Sequence, residues 1–274
     1  MNLLEAILLG ALQGLTEFLP VSSSGHLVLA ESLLKLPVES LKSFDIAVHF
    51  GTLLALLVYF WRDILHLIRA FLLTLAQPLR KKPLPAEIKD DQREMWHLLL
   101  ATIPAIVLGL TLGDWLDAQF RHPFPVAIHM IVVGVLFFGA ELVFTKIKTR
   151  QIHLREAVVM GLAQCLALVP GVSRSGITIS AGLVQGIKRD QAARFSFLLG
   201  AIAIFGATVF AAGAVAKGKY ALPATDMLAA GILSSFLVGL GAISFLMKYL
   251  RKHTLHIFGI YRVILGFTLL YLAQ

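Results

Sequence analysis

Residues 16 to 26 read Thr16-Glu17-Phe18-Leu19-Pro20-Val21-Ser22-Ser23-Ser24-Gly25-His26, a polar run inside a stretch otherwise rich in Leu, Ile and Ala. An acid, three adjacent hydroxyls and an imidazole are costly to place among such neighbours. Proline stops a helix, and the serines and glycine after it suit the start of another, so residues 2–35 are expected to form two half-helices broken at Pro20. Each half falls short of the roughly 20 apolar residues that cross a bilayer. Irregular backbone at membrane depth is tolerated only where protein buries it or where it lines a wet cavity. The break is therefore a candidate site.

The membrane itself follows from composition. Hydrophobic residues make up 58% of the 274-residue chain, charged residues 15%, and the mean hydropathy is +0.82. These values lie outside the range of soluble globular chains. Six stretches are long and apolar enough to span, at about 44–75, 97–117, 124–145, 191–216, 223–247 and 255–273. The length suits one membrane domain over residues 1–274, with nothing resembling a separate soluble unit. The first residues lack the basic region and small-residue cleavage site of a secretory signal, so the apolar start is expected to stay in the folded protein. A net charge of +8 points to cytoplasmic loops and not to nucleic acid, and the single Cys165 has no partner for an internal disulfide.

Residues 154–187 carry a second break, at Pro170-Gly171-Val172-Ser173-Arg174-Ser175-Gly176. The two broken stretches repeat each other: Glu5, Gly10 and Gln13 align with Glu156, Gly161 and Gln164, and Val21-Ser-Ser-Ser-Gly25 meets Val172-Ser-Arg-Ser-Gly176. Each stretch reads as a re-entrant hairpin followed by three spans. A hairpin returns to the side it left and three spans change sides, so the second half is inverted. The expected fold is an all-α integral membrane protein built as an inverted-topology repeat, with six transmembrane helices and two re-entrant helical hairpins. Repeat one covers about 1–150 and repeat two about 151–274, with the site near the midplane where the hairpins meet. Of the 24 Lys and Arg, seventeen fall in loops this topology puts in the cytoplasm and five on the other side, which places both termini outside.

Two half-helix N-termini aimed at one cavity present free N–H groups and positive dipole ends, a ready anion site. Arg174 sits at one of these tips, and its planar fork suits a pair of phosphate oxygens; the plainer alternative is a salt bridge to Glu17 that only holds the hairpins together. Glu17 lies four residues after Gln13, so both converge on the break from one helix face. A carboxylate beside an anion calls for a cation or a proton between them. Glu17, with Gln13 assisting, is thus a candidate ligand for a hard divalent ion or a base that positions water. Five serines at two matched tips, Ser22, Ser23, Ser24, Ser173 and Ser175, exceed what helix capping requires. His26, about one turn beyond, is placed to act as base to a serine hydroxyl and then as acid to a leaving oxygen.

The string from Gln13 to His26 resembles the glutamate-rich motif of the bacterial undecaprenyl-diphosphate phosphatases of the BacA (UppP) type. Pro170-Gly-Val-Ser-Arg-Ser-Gly-Ile-Thr178 is similar to that family's second signature, and the likeness extends over essentially the whole chain, including Ile260-Tyr261-Arg262. The family's first acidic position is Gln13 in this chain, which shifts weight to Glu17. The resemblance implies an enzyme that removes the terminal phosphate of undecaprenyl diphosphate at the outer face of the bacterial cytoplasmic (inner) membrane. It would recycle the lipid carrier for cell-wall glycans and confer bacitracin resistance, with an isoprenoid diphosphate lipid as partner, a divalent cation, Mg or Ca, as cofactor, and a homodimer as the possible assembly. Carried over, Glu17, Ser23, His26 and Arg174 are the catalytic positions. Gln13, Ser22, Ser24, Gly25, Ser173, Ser175 and Thr178 fall at the substrate site, and Glu17 with Gln13 are the metal candidates.

Two rivals share features of the sequence. A class resembling the phosphatidic acid phosphatases also uses Ser-Gly-His and Ser-Arg strings, but it needs a histidine six residues after the arginine, where this chain has Ser180, and a Lys-x6-Arg-Pro stretch that is missing. A lipid flippase or other transporter is the alternative from a different class, since inverted repeats with broken helices are typical of secondary transporters.

Overall fold

The computed structural model describes residues 1–33, 38–77, 86–146, 149–218 and 223–272. Their regular structure is helical throughout: α1 (Leu3–Phe18), α2 (Ser23–Leu33), α3 (Val38–Tyr59), α4 (Trp61–Leu75), α5 (Ala86–Phe120), α6 (Pro123–Phe144), α7 (Leu154–Leu166), α8 (Arg174–Val184), α9 (Arg189–Ala216), α10 (Thr225–Tyr249) and α11 (His256–Leu272). Among the described residues no strand forms, and the one β-bridge joins Arg150 to Ile187. The loop cations Lys35, Arg80, Lys81, Lys82, Lys148 and Lys219 lie outside the described residues.

Both predicted breaks fall where expected, α1 giving way to α2 across Leu19–Ser22 and α7 to α8 across Ala167–Ser173. Among the described residues four helices are long and apolar enough to cross a membrane, lying at Ile88–Phe120 in α5 and over α6, α9 and α10. The expected span at 44–75 is not one straight helix. It breaks at Phe60, where α3 and α4 meet at 83°, and the second part is amphipathic, with Arg62, His66 and Arg69 exposed away from the bundle. The pair is a fifth span only if the bent unit is counted as one, and α11, with 17 residues, is a shorter apolar helix.

The repeated acids at the hairpin starts have a local cause. Glu5 accepts the N–H of Asn2 (2.7 Å) and Glu156 accepts that of His153 (3.1 Å), so each satisfies an orphan donor at the start of its helix. The bundle closes through small residues. α1 packs on α10 and α7 packs on α5, while α3 meets α9 and α6 meets α11. A Cβ at Gly14 would stand 2.4 Å from the Ser235 carbonyl oxygen, and one at Gly161 would stand 2.2 Å from that of Ala101. Helices whose surroundings are as apolar as their own side chains gain by such close backbone approach.

Candidate active site

Pro20 and Pro170 end the first halves of the hairpins, and the serines that follow turn the chain sharply. Ser22 and Ser173, two aligned positions, both adopt positive φ, at 75° and 73°. Such backbone is uncommon for residues with a Cβ and persists where the surroundings enforce it. Each serine hydroxyl accepts the N–H three residues on, Ser22 from Gly25 and Ser173 from Gly176, both at 3.3 Å. The tips are tied to each other as well. The Gly171 N–H donates to Ser24 Oγ (3.2 Å), and Ser175 Oγ donates to the Leu19 carbonyl (3.4 Å).

Arg262 lies under this junction with no exposed surface. It donates to carbonyls of both tips, Gly171 (2.7 Å) and Pro20 (3.5 Å), and to His129 and Met130 of α6, while its guanidinium lies 5.6 Å from the Phe137 ring centroid. A buried cation thus stands beneath both breaks and holds their backbones in place. Another charge within the bundle, Glu141, takes Arg189 and the Leu255 N–H (2.8 Å), away from the tips.

Above the junction one carboxylate gathers the reactive groups. Glu17 Oε1 accepts Arg174 Nη2 at 2.7 Å, and Oε2 accepts Ser23 Oγ at 2.7 Å and Gln13 Nε2 at 3.1 Å. The ion pair between hairpins is therefore made, and it coexists with a serine hydroxyl on the second oxygen. Arg174 also donates to the Ser196 carbonyl (3.4 Å), and it runs across Gly200, where a Cβ would fall 1.2 Å from Nη1. His49 Nε2 faces Glu17 Oε2 at 3.7 Å, and its Nδ1 pairs with the Asp45 carbonyl (2.7 Å). Since a carbonyl only accepts, Nδ1 carries the proton. A cavity of about 300 Å³ opens here, lined by Ser24, Asp45, His49, Asp114, Arg121 and Thr208 among others, with Arg121 paired to Asp45 across it.

Two residues sit otherwise than the sequence suggested. His26 does not meet a serine hydroxyl: its Nδ1 pairs with the Ser22 carbonyl and its Nε2 with Tyr261 Oη, both at 2.7 Å, on a ring stacked against Tyr261. Thr178 bonds back to the Arg174 carbonyl (2.7 Å) and to Ser196 Oγ (2.5 Å), which makes it a brace of the second tip. Gln13, Glu17, Ser22, Ser23, Ser24, Gly25, Ser173, Arg174 and Ser175 do come together at the two tips. Sequence reasoning missed His49, Tyr261 and Gly200. A histidine in the apolar run after Asp45 was a readable signal for the first; nothing marks Gly200 until Arg174 is laid across it.

Fold and site together define a multi-helix membrane protein with two serine-rich helix tips, an arginine and a carboxylate enclosed within the bundle. The family described as "Bacitracin resistance protein BacA" matches residues 6–268, and the chain belongs to it. It is 45% identical over 268 residues to the protein named "Undecaprenyl-diphosphatase" of Rubrobacter xylanophilus, covering 97% of this chain and 96% of that one. It is 40% identical over 274 residues to the protein of the same name from Desulforudis audaxviator, covering 100% and 98%. The namesake from Moorella thermoacetica is 39% identical over 270 residues, covering 97% and 96%.

Proposed function

We propose that the chain is an integral-membrane phosphatase that hydrolyses undecaprenyl diphosphate to undecaprenyl phosphate and inorganic phosphate. The family and the relatives' printed name support the activity. The observation that carries the chemistry is Ser23 Oγ donating to the Glu17 carboxylate that Arg174 holds from its other oxygen. In this reading the Ser23 oxygen attacks the terminal phosphorus, its proton passes to Glu17, and the bond to the bridging oxygen breaks so that lipid phosphate leaves with the electron pair. Protonation removes the charge that held Arg174, and the guanidinium turns to the phosphate as negative charge grows there. Water then attacks the phosphoserine, giving up a proton as Ser23 regains one, and phosphate is released. His26, bound on both nitrogens, acts as a positioning residue that holds the Ser22 carbonyl and the tip.

A divalent cation belongs to the same proposal. The described residues contain no group of three or more His, Cys, Asp and Glu fit to cage a metal, but Gln13 Oε1 is buried beside Glu17 with no protein partner. That environment would suit a hard ion such as Mg²⁺ brought in with the diphosphate, which Gln13 Oε1 would hold, with Glu17 as a second ligand only before it takes the Ser23 proton. When bound, the ion would offset charge on the transferring phosphate.

The inverted repeat, with six spans and two re-entrant hairpins, is the architecture we infer. Its supports are the paired motifs, the shared positive φ of Ser22 and Ser173, and the matched packing of α1 on α10 and α7 on α5. On this reading the chain lies in the bacterial inner membrane with the cavity, at the ends of α3 and α5 near Asp45 and Asp114, toward the periplasm; the bias of Lys and Arg among the loops supports that orientation. A homodimer is proposed on the family resemblance alone. Phosphate release from a long-chain isoprenoid diphosphate by purified protein in detergent tests the activity; a protein that only moves lipid across the membrane releases none. Orientation is tested by labelling single cysteines in a Cys165→Ser background, where an outside reagent should reach position 118 and fail at position 253.

A further inference from the structure

α4 has three distinct faces. One is turned to the bundle: Ala70 is 1% exposed, Asp63 accepts Arg194 Nε of α9 at 2.7 Å, and Thr74 Oγ1 accepts Gln92 Nε2 of α5 at 2.8 Å. The second is apolar and uncovered. Trp61, Leu65, Ile68, Leu72 and Leu75 recur at alternating intervals of four and three and are each 48–62% exposed, so they form one continuous stripe along the helix. Beside that stripe runs the third face, with Arg62, His66 and Arg69 all exposed. The Arg62 guanidinium lies 5.2 Å from the Trp61 ring centroid, where the basic and apolar faces meet.

Two further facts give this arrangement its direction. Asp63 is the one acid of α4, and its carboxylate is spent on Arg194, so the outward surface carries basic charge with no acid to balance it. α4 also leaves α3 at 83°, from the end of α3 next to the loops that hold most of the basic residues. With α3 along the membrane normal, α4 runs within the plane of the inner interface.

We propose that α4 is an in-plane interfacial helix whose Trp61 to Leu75 stripe lies among the acyl chains of the inner leaflet, and whose Arg62, His66 and Arg69 bind the headgroups of anionic phospholipids. Amphipathic helices of this kind bury one face at the headgroup boundary and gain from anionic lipid on the other. Tryptophan at that depth is in its favoured setting. Charge selects the occupant: an anionic leaflet complements the stripe, whereas a second copy docking α4 on α4 would bring like-charged arginines together. The proposal is independent of the catalytic reading, since the side chains that meet Glu17 are those of Gln13, Ser23, His49 and Arg174, on α1, α2, α3 and α8.

The test uses full-length protein in which Trp96 and Trp115 are changed to Phe, leaving Trp61 as the only tryptophan. It is reconstituted in bilayers containing acyl-brominated phosphatidylglycerol or brominated phosphatidylcholine, each over the same series of mole fractions. Trp61 fluorescence should be quenched by both lipids, with phosphatidylglycerol effective at about a fivefold lower mole fraction, a preference of the size that basic residues near an anionic surface produce. High salt, and the double change Arg62→Gln and Arg69→Gln, should abolish the preference while leaving quenching by phosphatidylcholine intact. Trp61 that neither lipid quenches, as a covering second copy would cause, overturns the proposal. So does equal quenching by both lipids in the unmodified arginine background, or a preference unmoved by salt and by the double change.

Discussion

Ser23 and Arg174, on different hairpins, hydrogen-bond opposite oxygens of one carboxylate, that of Glu17, each at 2.7 Å. Glu17 thus clasps the two hairpins together. In the proposed reaction the bond from Ser23 gives the hydroxyl a proton acceptor, and the bond from Arg174 gives that acceptor a counter-ion that is freed when the proton arrives.

Glu17→Gln keeps the shape and loses the base. Turnover of an isoprenoid diphosphate should fall by about 10²–10⁴, the range that general acid–base catalysis supplies. It is measured as phosphate release in detergent, with monodispersity on size exclusion confirming that the fold persists.

Gly200 tests the placement of the arginine from behind. Gly200→Ala puts a methyl group where Arg174 Nη1 lies, so the guanidinium must move, and a misplacement of about 1 Å is expected to cost on the order of 10² in kcat/KM. Gly206→Ala on the same helix, with nothing within 4 Å of its Cβ, should leave activity unchanged. Equal loss in both variants would locate the effect in α9 as a whole and not in Arg174.

Arg174→Lys separates charge from geometry. A point charge can still meet Glu17 but cannot reproduce the planar fork, so both substrate binding and turnover should weaken, seen as a raised KM together with a lowered kcat.

Tyr261→Phe removes the partner of His26 Nε2 and leaves the stacked ring in place. The loss is one hydrogen bond, of about 1 kcal/mol, so activity should fall by less than about tenfold. A loss as deep as that of Glu17→Gln would mean that His26 takes part in the proton transfer itself.

Much of the site is legible in the amino-acid sequence, because the residues that make it violate the apolar pattern around them. Glu17, the three serines and Arg174 are costly at membrane depth, and the two prolines mark where the helices stop. Their convergence follows from the repeat. The relationships that sequence does not carry are those fixed by packing. His26 and Tyr261 are far apart along the chain, and the bond between them depends on where α11 lies against the first tip. Arg262 is a further charge at membrane depth for which the sequence offers no side-chain partner, because its partners are backbone carbonyls, which leave no trace in side-chain identity. The bend at Phe60 is hidden because hydropathy averages over faces, so α3 and the amphipathic α4 merge into one apolar stretch.

The central claim is that Ser23 itself attacks phosphorus with Glu17 as its base. Rapid acid quench of the enzyme turning over a terminally radiolabelled isoprenoid diphosphate tests it most directly. The account predicts acid-stable label as phosphoserine on the peptide that contains Ser23, absent from Ser23→Ala, which should be inactive while still binding substrate. Steady turnover with no labelled protein at any quench time, together with robust phosphatase activity in Ser23→Ala, would contradict it and assign the attack to water.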